Sequence, residues 1–233
     1  MWRFAGLNQN TNMQLSIIIP TLDEAEAVVA LLQQLQSLRA RGHEVILADG
    51  GSKDDTVALA EPLVDRVLVT AAGRARQMNA GAAVANGQTL WFVHADSRIP
   101  ERADEYILKS AGPVWGRFNV HLSGDRMLLR VVERLMNLRS RITGIATGDQ
   151  GIFVSRALFE RIGGYADLPL MEDIDLSKRL KHEQTPVCLH NTLTTSSRRW
   201  EQKGVVRTIL LMWYLRLAWF LGVPAARLAS HYG

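Results

Sequence analysis

Four short apolar runs in the first half of the chain limit what it can fold into. They are LSIII (15–19), EVILA (44–48), RVLV (66–69) and TLWFV (89–93). A continuous run such as LSIII, rather than alternation, marks a strand buried on both faces. Helix-length segments separate them. The first carries Val28, Leu31, Leu32, Leu35 and Leu38 on one helical face. The third, 74–85, is rich in small residues and suits close approach to a neighbour. Strand and helix alternating at this spacing imply parallel βαβ units, the α/β class with a doubly wound half-domain. Pro20 is expected to end the first strand. Ser52 with Asp55 three positions on reads as a capping box, opening a helix to about Pro62.

The second half is less regular. WGRFNVHL (115–122) alternates, which predicts a half-buried strand in a mixed sheet. Residues 126–141 read as helix, and TGDQGIFVSRALFERIGGY as turn, strand, helix and glycine stop. MEDIDLSKRLKH (171–182) is a helix with acids at its start and bases at its end, which suits the macrodipole. The expected organisation is a leader at 1–12 without structure, one compact domain at 13–200 and an amphipathic helical tail at 201–233. The leader lacks the apolar stretch of a signal peptide, and Met13 is an alternative start. A cytoplasmic protein is therefore expected.

The 233 residues, 47% of them hydrophobic, are enough for one sizeable core. A net charge of +4 is too small to argue for nucleic acid. The single cysteine, Cys188, excludes an internal disulfide and reads as a small buried strand residue. One segment, VVRTILLMWYLRLAWFLGV (205–223), is nearly long enough to span a bilayer. Arg207 and Arg216 interrupt it, and an arginine at mid-span costs about 2.5–3.5 kcal/mol. The remaining readings are a helix packed on the domain, one packed on a twin chain in a homodimer, or one lying at the inner face of the membrane. Its aromatic residues and flanking arginines suit an interface, but packing against the domain or a dimer partner is the expected reading.

Ligands of open α/β sheets bind at the carboxyl ends of the strands. Thr21, Asp23 and Glu24 follow the first run, Asp49, Gly50 and Gly51 the second, and His94 and Asp96 the fourth, so the polar residues fall on one edge. Asp96 is either a turn residue or a carboxylate that, with substrate phosphates, holds Mg²⁺ or Mn²⁺; His94 is a second ligand or a donor to phosphate. Asp49 and its glycines are a tight turn or a contact to a base or ribose. Arg74 and Arg76 start a helix, facing solvent or phosphate. Glu172, Asp173 and Asp175 compensate a helix dipole or supply a general base. No Gly-x-Gly-x-x-Gly follows the first strand, which disfavours a dinucleotide dehydrogenase, and the absence of a P-loop pattern excludes that class.

LSIIIPTLDE, ADGGSKDDT, GRARQMNAGAA, FVHADS and MEDIDL, in this order and spacing, resemble the family 2 inverting glycosyltransferases of GT-A fold. HAD and an SRRW-like stretch are similar to a bacterial group associated with radical-SAM and selenoprotein-type domains. The resemblance covers roughly residues 13–230. It implies a nucleotide-sugar donor, a divalent metal and an acceptor, possibilities for which include lipid-linked ones. It places Pro20, Thr21 and Glu24 in the nucleotide pocket, Asp49 on the base, Gly51 and Ser52 on the same wall, and Arg74 and Asn79 near ribose and phosphate. Asp96 matches the last Asp of the metal-binding Asp-x-Asp. Asp173, preceded by Glu172, matches the catalytic base. Gly148, Asp149 and Gln150 would lie near the acceptor, and Arg198, Arg199 and Trp200 would close over the diphosphate. The chain departs from the family pattern twice. His94 replaces the first Asp of Asp-x-Asp, and Ser196 stands where processive relatives carry the Gln of Gln-x-x-Arg-Trp.

Two rivals are distinguishable. A sugar-phosphate nucleotidyltransferase wants a glycine-rich, basic loop after the first strand, where PTLDEAEA is acidic. An inactive nucleotide-sugar binder or membrane-associated scaffold would bind without turnover and be insensitive to Asp173→Asn.

Overall fold

The computed structural model describes residues 15–109 and 114–232; the expected leader, 1–12, lies outside them. The first half follows the anticipated alternation: β1 (Leu15–Thr21), α1 (Ala25–Ala40), β2 (Glu44–Asp49), α2 (Thr56–Ala60), β3 (Arg66–Val69), α3 (Arg74–Val84) and β4 (Thr89–Phe92). The remainder is α4 (Ala103–Leu108), β5 (Trp115–Leu122), α5 (Met127–Thr143), β6 (Phe153–Ser155), α6 (Arg156–Arg161), α7 (Glu172–Glu183), β7 (Val187–Thr195), α8 (Arg198–Lys203), α9 (Val205–Phe220) and α10 (Ala225–Tyr232). The strands form one mixed seven-stranded sheet in the order β3-β2-β1-β4-β6-β5-β7.

Successive residues of β1 point to opposite faces, and both faces are covered. Leu15, Ile17 and Ile19 pack with Leu31, Leu32 and Leu35 of α1. Ile18 packs on the other side with Met78 and Ala82 of α3. The small residues of α3 do what their size suggests. A Cβ on Gly81 would lie 2.5 Å from Ile18 Cγ2, so the helix sits closer to the sheet than a larger residue permits.

Three local expectations are corrected. Pro20 does not end β1, which runs on to Thr21. The ladder to β4 stops at Ile18–Phe92, so the missing N–H of Pro20 leaves no gap in it, and pairing with β2 continues through Thr21–Asp49. Ser52 does not cap α2, which begins at Thr56 and is followed by a 3₁₀ turn, Glu61–Leu63. Its hydroxyl is instead taken by Asp49, and Asp54 accepts the Thr56 N–H at 3.0 Å. Cys188 is half-buried rather than buried.

β1 to β4 run parallel, β6 runs against both β4 and β5, and β7 is parallel to β5. Every strand but β6 therefore points the same way. Their carboxyl ends share one edge, and the segment that leads into the reversed β6 lies on that edge too. Among the described residues no helix is long and apolar enough to cross a membrane.

Gly81→Ala is expected to destabilise the fold by about 1–3 kcal/mol, the usual penalty of overpacking. Urea unfolding midpoints at unchanged slope would measure it.

Candidate active site

Asp49, at the end of β2, is 1% exposed and fully engaged. It accepts from Gly51 N and Ser52 N, each at 2.8 Å, from Ser52 Oγ at 2.5 Å and from Thr21 Oγ1 at 3.2 Å. These bonds hold the β2 loop against β1. Ser52 Oγ in turn accepts the Asp23 N–H at 2.9 Å. Thr21, Asp49, Gly51 and Ser52 thus build the wall beside the cavity described next rather than its lining.

That cavity, of about 210 Å³, opens on the shared strand edge. Pro20 and Glu24 line it from the end of β1, Arg74 from the start of α3, and His94 and Asp96 from the end of β4. Asp149 comes from the turn before β6, Glu172 and Asp173 from the start of α7, and Trp200 from α8. Nine of the side chains singled out from sequence are brought together here.

Asp173 is held by backbone. Its Oδ2 accepts the Gly148 N–H at 2.9 Å and its Oδ1 the Ile174 N–H at 2.7 Å. Gly148 has a second constraint. A Cβ there would meet the His94 ring at 2.6 Å, so only glycine lets the imidazole lie against this turn. One residue therefore spaces the β4 end from the α7 carboxylate. The residue before α7, Met171, has φ 69°, a left-handed conformation that costs a non-glycine residue on the order of 1–3 kcal/mol. It is anchored by packing with Leu170, Ile174 and Leu215. That turn presents Glu172 and Asp173 to the cavity.

The acids strain against one another. Burial raises the pKa of Asp96, and Asp149 adds to this against the opposing pull of His94 and Arg74. Burial, then Asp96, raises Glu24. Burial, then Asp173, raises Glu172. Asp149 behaves otherwise. Burial works to raise it, but hydrogen bonding and charge from His94, with Arg74 and Arg216, bring it below the ordinary range. His94 Nδ1 lies 3.6 Å from Asp149 Oδ1.

Other anticipated residues sit elsewhere. Asn79 clamps Tyr165, donating to its carbonyl at 2.8 Å and accepting its N–H at 2.9 Å, and does not reach the cavity lining. Gln150 is buried; its Oε1 accepts the Thr147 N–H at 3.2 Å, completing a capping box on the turn before β6. Arg76 pairs at the surface with Asp167. Arg198 is exposed and lies 3.4 Å from Glu26, although Glu24 feels its charge. Arg199 lies in α8, and its side chain falls outside the described residues.

The sequence reading missed Thr147, Thr195, Thr208, Met212 and Arg216, which also line the cavity, as does Ser196, marked in the sequence only as a departure from Gln-x-x-Arg-Trp. Arg216 had a signal. It is a charge inside an apolar helix, which opposes membrane insertion and equally marks a group that must face a polar site. The helical tail consequently belongs to the site: α9 contributes Thr208, Met212 and Arg216 and packs through Leu215 on the entry to α7.

The mixed seven-stranded sheet with flanking helices is the GT-A fold. Residues 16–113 match the model of Glycosyl transferase family 2. The chain is 24% identical over 234 residues to a beta-monoglucosyldiacylglycerol synthase of Synechocystis, covering 90% of this chain and 47% of the relative. It is 30% identical over 165 residues to a PGL/p-HBAD biosynthesis glycosyltransferase of Mycobacterium bovis, covering 64% of this chain and 62% of the relative. The chain thus spans about half to three fifths of these relatives' lengths. The fold is also that of a mannosyltransferase from Pyrobaculum calidifontis in complex with GDP-Man and Mn²⁺. The TM-score is 0.61 at 19% identity, over 78% of this chain and 56% of that one.

Glu172→Gln is expected to raise the melting temperature at neutral pH. A carboxyl whose folded pKa lies above its unfolded value destabilises the fold at pH above both. The penalty shrinks as pH falls through the raised folded value, so wild type and variant should converge in acid. Melting curves across that pH range would show it.

Proposed function

We propose that this protein transfers a sugar from a nucleoside diphosphate donor, UDP- or GDP-linked, to an acceptor oxygen with inversion. The observation that carries this reading is the acid-lined cavity at the strand edge. In it, an Asp173 carboxylate fixed by the Gly148 N–H faces the Asp96, Glu24 and Arg74 group. HAD and SRRW support placing it with the radical-SAM-associated bacterial group.

The cavity's donor set fits a divalent cation. Glu24, Asp96 and Glu172 are each raised by burial and by a neighbouring carboxylate, a repulsion that a cation relieves. Among the described residues no three His, Cys, Asp or Glu side chains converge as a complete metal site. Such a site suits Mg²⁺ or Mn²⁺, which take one or two protein carboxylates and fill the rest with substrate phosphate and water. Asp96, with His94, would hold it, and when bound it supplies Lewis-acid neutralisation of the diphosphate.

The chain's own groups do the rest. Pro20, Thr21, Asp49, Gly51 and Ser52 shape the nucleotide wall. Arg74 offsets charge that builds on the leaving diphosphate. Asp173 takes the acceptor's proton as that oxygen bonds to the anomeric carbon, and the nucleoside diphosphate leaves from the opposite face. One displacement without an enzyme nucleophile inverts the centre. Asp149 and Trp200 lie toward the acceptor side. Exposed apolar residues of α9, such as Trp213 and Phe220, support peripheral contact with a membrane.

Calorimetric titration of UDP and GDP with and without Mn²⁺ tests the donor reading. Metal-dependent binding of one nucleotide, lost in Asp96→Ala, is expected; no binding of either would overturn it. Asp173→Asn should keep that binding and lower turnover by about 10²–10⁴-fold, the usual worth of a general base. Turnover unchanged in Asp173→Asn would remove Asp173 as the base.

A further inference from the structure

A second cavity, of about 300 Å³, lies between α5 and α9. It shares Asp149, Trp200, Met212 and Arg216 with the first, so the two adjoin at the catalytic edge. Its walls are otherwise apolar, formed by residues such as Val132, Met136 and Ile209. Into this apolar space the protein sets two cations, Arg139 and Arg216. Nε and Nη2 of Arg139 are buried without a hydrogen-bond partner. Burial, reinforced by the charge of Arg216, brings the Arg139 pKa down to about 10, which still leaves it charged at neutral pH. Buried donors on a cation beside a second cation call for an anion.

The mouth is equally informative. Leu135 and Trp213 line the cavity yet are 54% and 64% exposed. Each belongs to an exposed stripe at helical spacing. On α5 the stripe is Leu128, Val131, Leu135, Leu138 and Ile142. On α9 it is Val206, Leu210, Trp213, Leu217 and Phe220. The two helices pack together through Leu129, Val132 and Met136 on one side and Val205 and Ile209 on the other, so the stripes flank the same opening.

We propose that this cavity binds the acceptor, and that the acceptor is an amphiphile: an apolar chain carrying a phosphate headgroup. The headgroup lies on Arg139 and Arg216, next to Asp149, and the chain leaves between the two stripes. This rests on the glycosyltransferase reading above. A small hydroxylated acceptor would satisfy neither the apolar walls nor the stripes, and an uncharged lipid would leave the Arg139 donors without an acceptor. In the transfer, the bond from the anomeric carbon to the donor's diphosphate oxygen breaks and its electron pair leaves on the nucleoside diphosphate. The bond from that carbon to a headgroup oxygen forms, and a proton on that oxygen, where present, passes to Asp173.

Farnesyl phosphate, kept below its aggregation concentration, is a suitable probe, read by fluorescence of the tryptophans that line the cavity. It should bind at least tenfold more tightly than farnesol, and millimolar inorganic phosphate should not displace it. Arg139→Ala should weaken it tenfold or more and Arg139→Lys less. Leu135→Asp, an exposed change that leaves the core intact, should also weaken it and carries the test if Arg139→Ala fails to fold. Equal affinity for farnesol, displacement by inorganic phosphate, or unchanged affinity in folded Arg139→Ala would overturn the proposal. UDP and GDP titrations on the same samples separate the two readings. Farnesyl phosphate binding without nucleotide binding removes the donor and leaves the amphiphile cavity, whereas nucleotide binding alone removes the cavity's role.

Discussion

The common direction of the strands is the constraint on which the rest depends. A parallel ladder needs crossover helices, and these bury both faces of β1, β2 and β4. It also sends every loop after a strand to one edge. Thr21 and Glu24, Asp49, His94 and Asp96 come from segments far apart in sequence, yet no further device is needed to gather them. The one reversed strand, β6, strengthens this arrangement: because it runs backwards, the turn that enters it, Gly148–Gln150, reaches the same edge. Gly148 then binds the Asp173 carboxylate and makes room for the His94 ring.

The site stores unfavourable interactions that a well-packed core would avoid. Glu24 and Asp96 are half-buried and Asp96 acts on Glu24, Glu172 is buried beside Asp173, and Met171 is held in a left-handed turn. Each lowers stability, and each makes sense where a charged ligand will arrive and relieve it. The cation side follows the same logic. Arg139 keeps two buried donors without acceptors, in an apolar wall where a hydrophobic residue would cost less. The two cavities thus differ in chemistry, acidic at the strand edge and cationic within apolar walls between α5 and α9.

Much of the fold was legible in the residues. Apolar runs located β1, β2 and β4 because a strand buried on both faces leaves no room for polar residues, a shorter run marked β3 at the sheet edge, helical spacing located α1, and the passage from acids to bases located α7. What failed was local chemistry that a neighbour overruled. Ser52 looked like a cap and was claimed by Asp49 across the turn. Pro20 looked like a strand end, but β1 had already lost its partner on one side. Asn79 looked like a ligand contact and was taken by Tyr165, 86 positions away.

The order of strands and helices, the acids that follow β1, β2 and β4, and the carboxylates opening α7 were determined by sequence alone, because periodicity and strand ends are local properties. The tertiary structure decided which of those groups share a cavity. It brought Thr195 and Ser196 of the β7 end into the same lining as Asp96, and it folded α9 back so that Arg216 serves the site rather than interrupting an apolar run. It also set Arg139 of α5 opposite Arg216, a pairing that joins segments without any common sequence signal. Packing made these choices, since helices with apolar faces must be buried somewhere, and only the finished sheet shows where that leaves their charges.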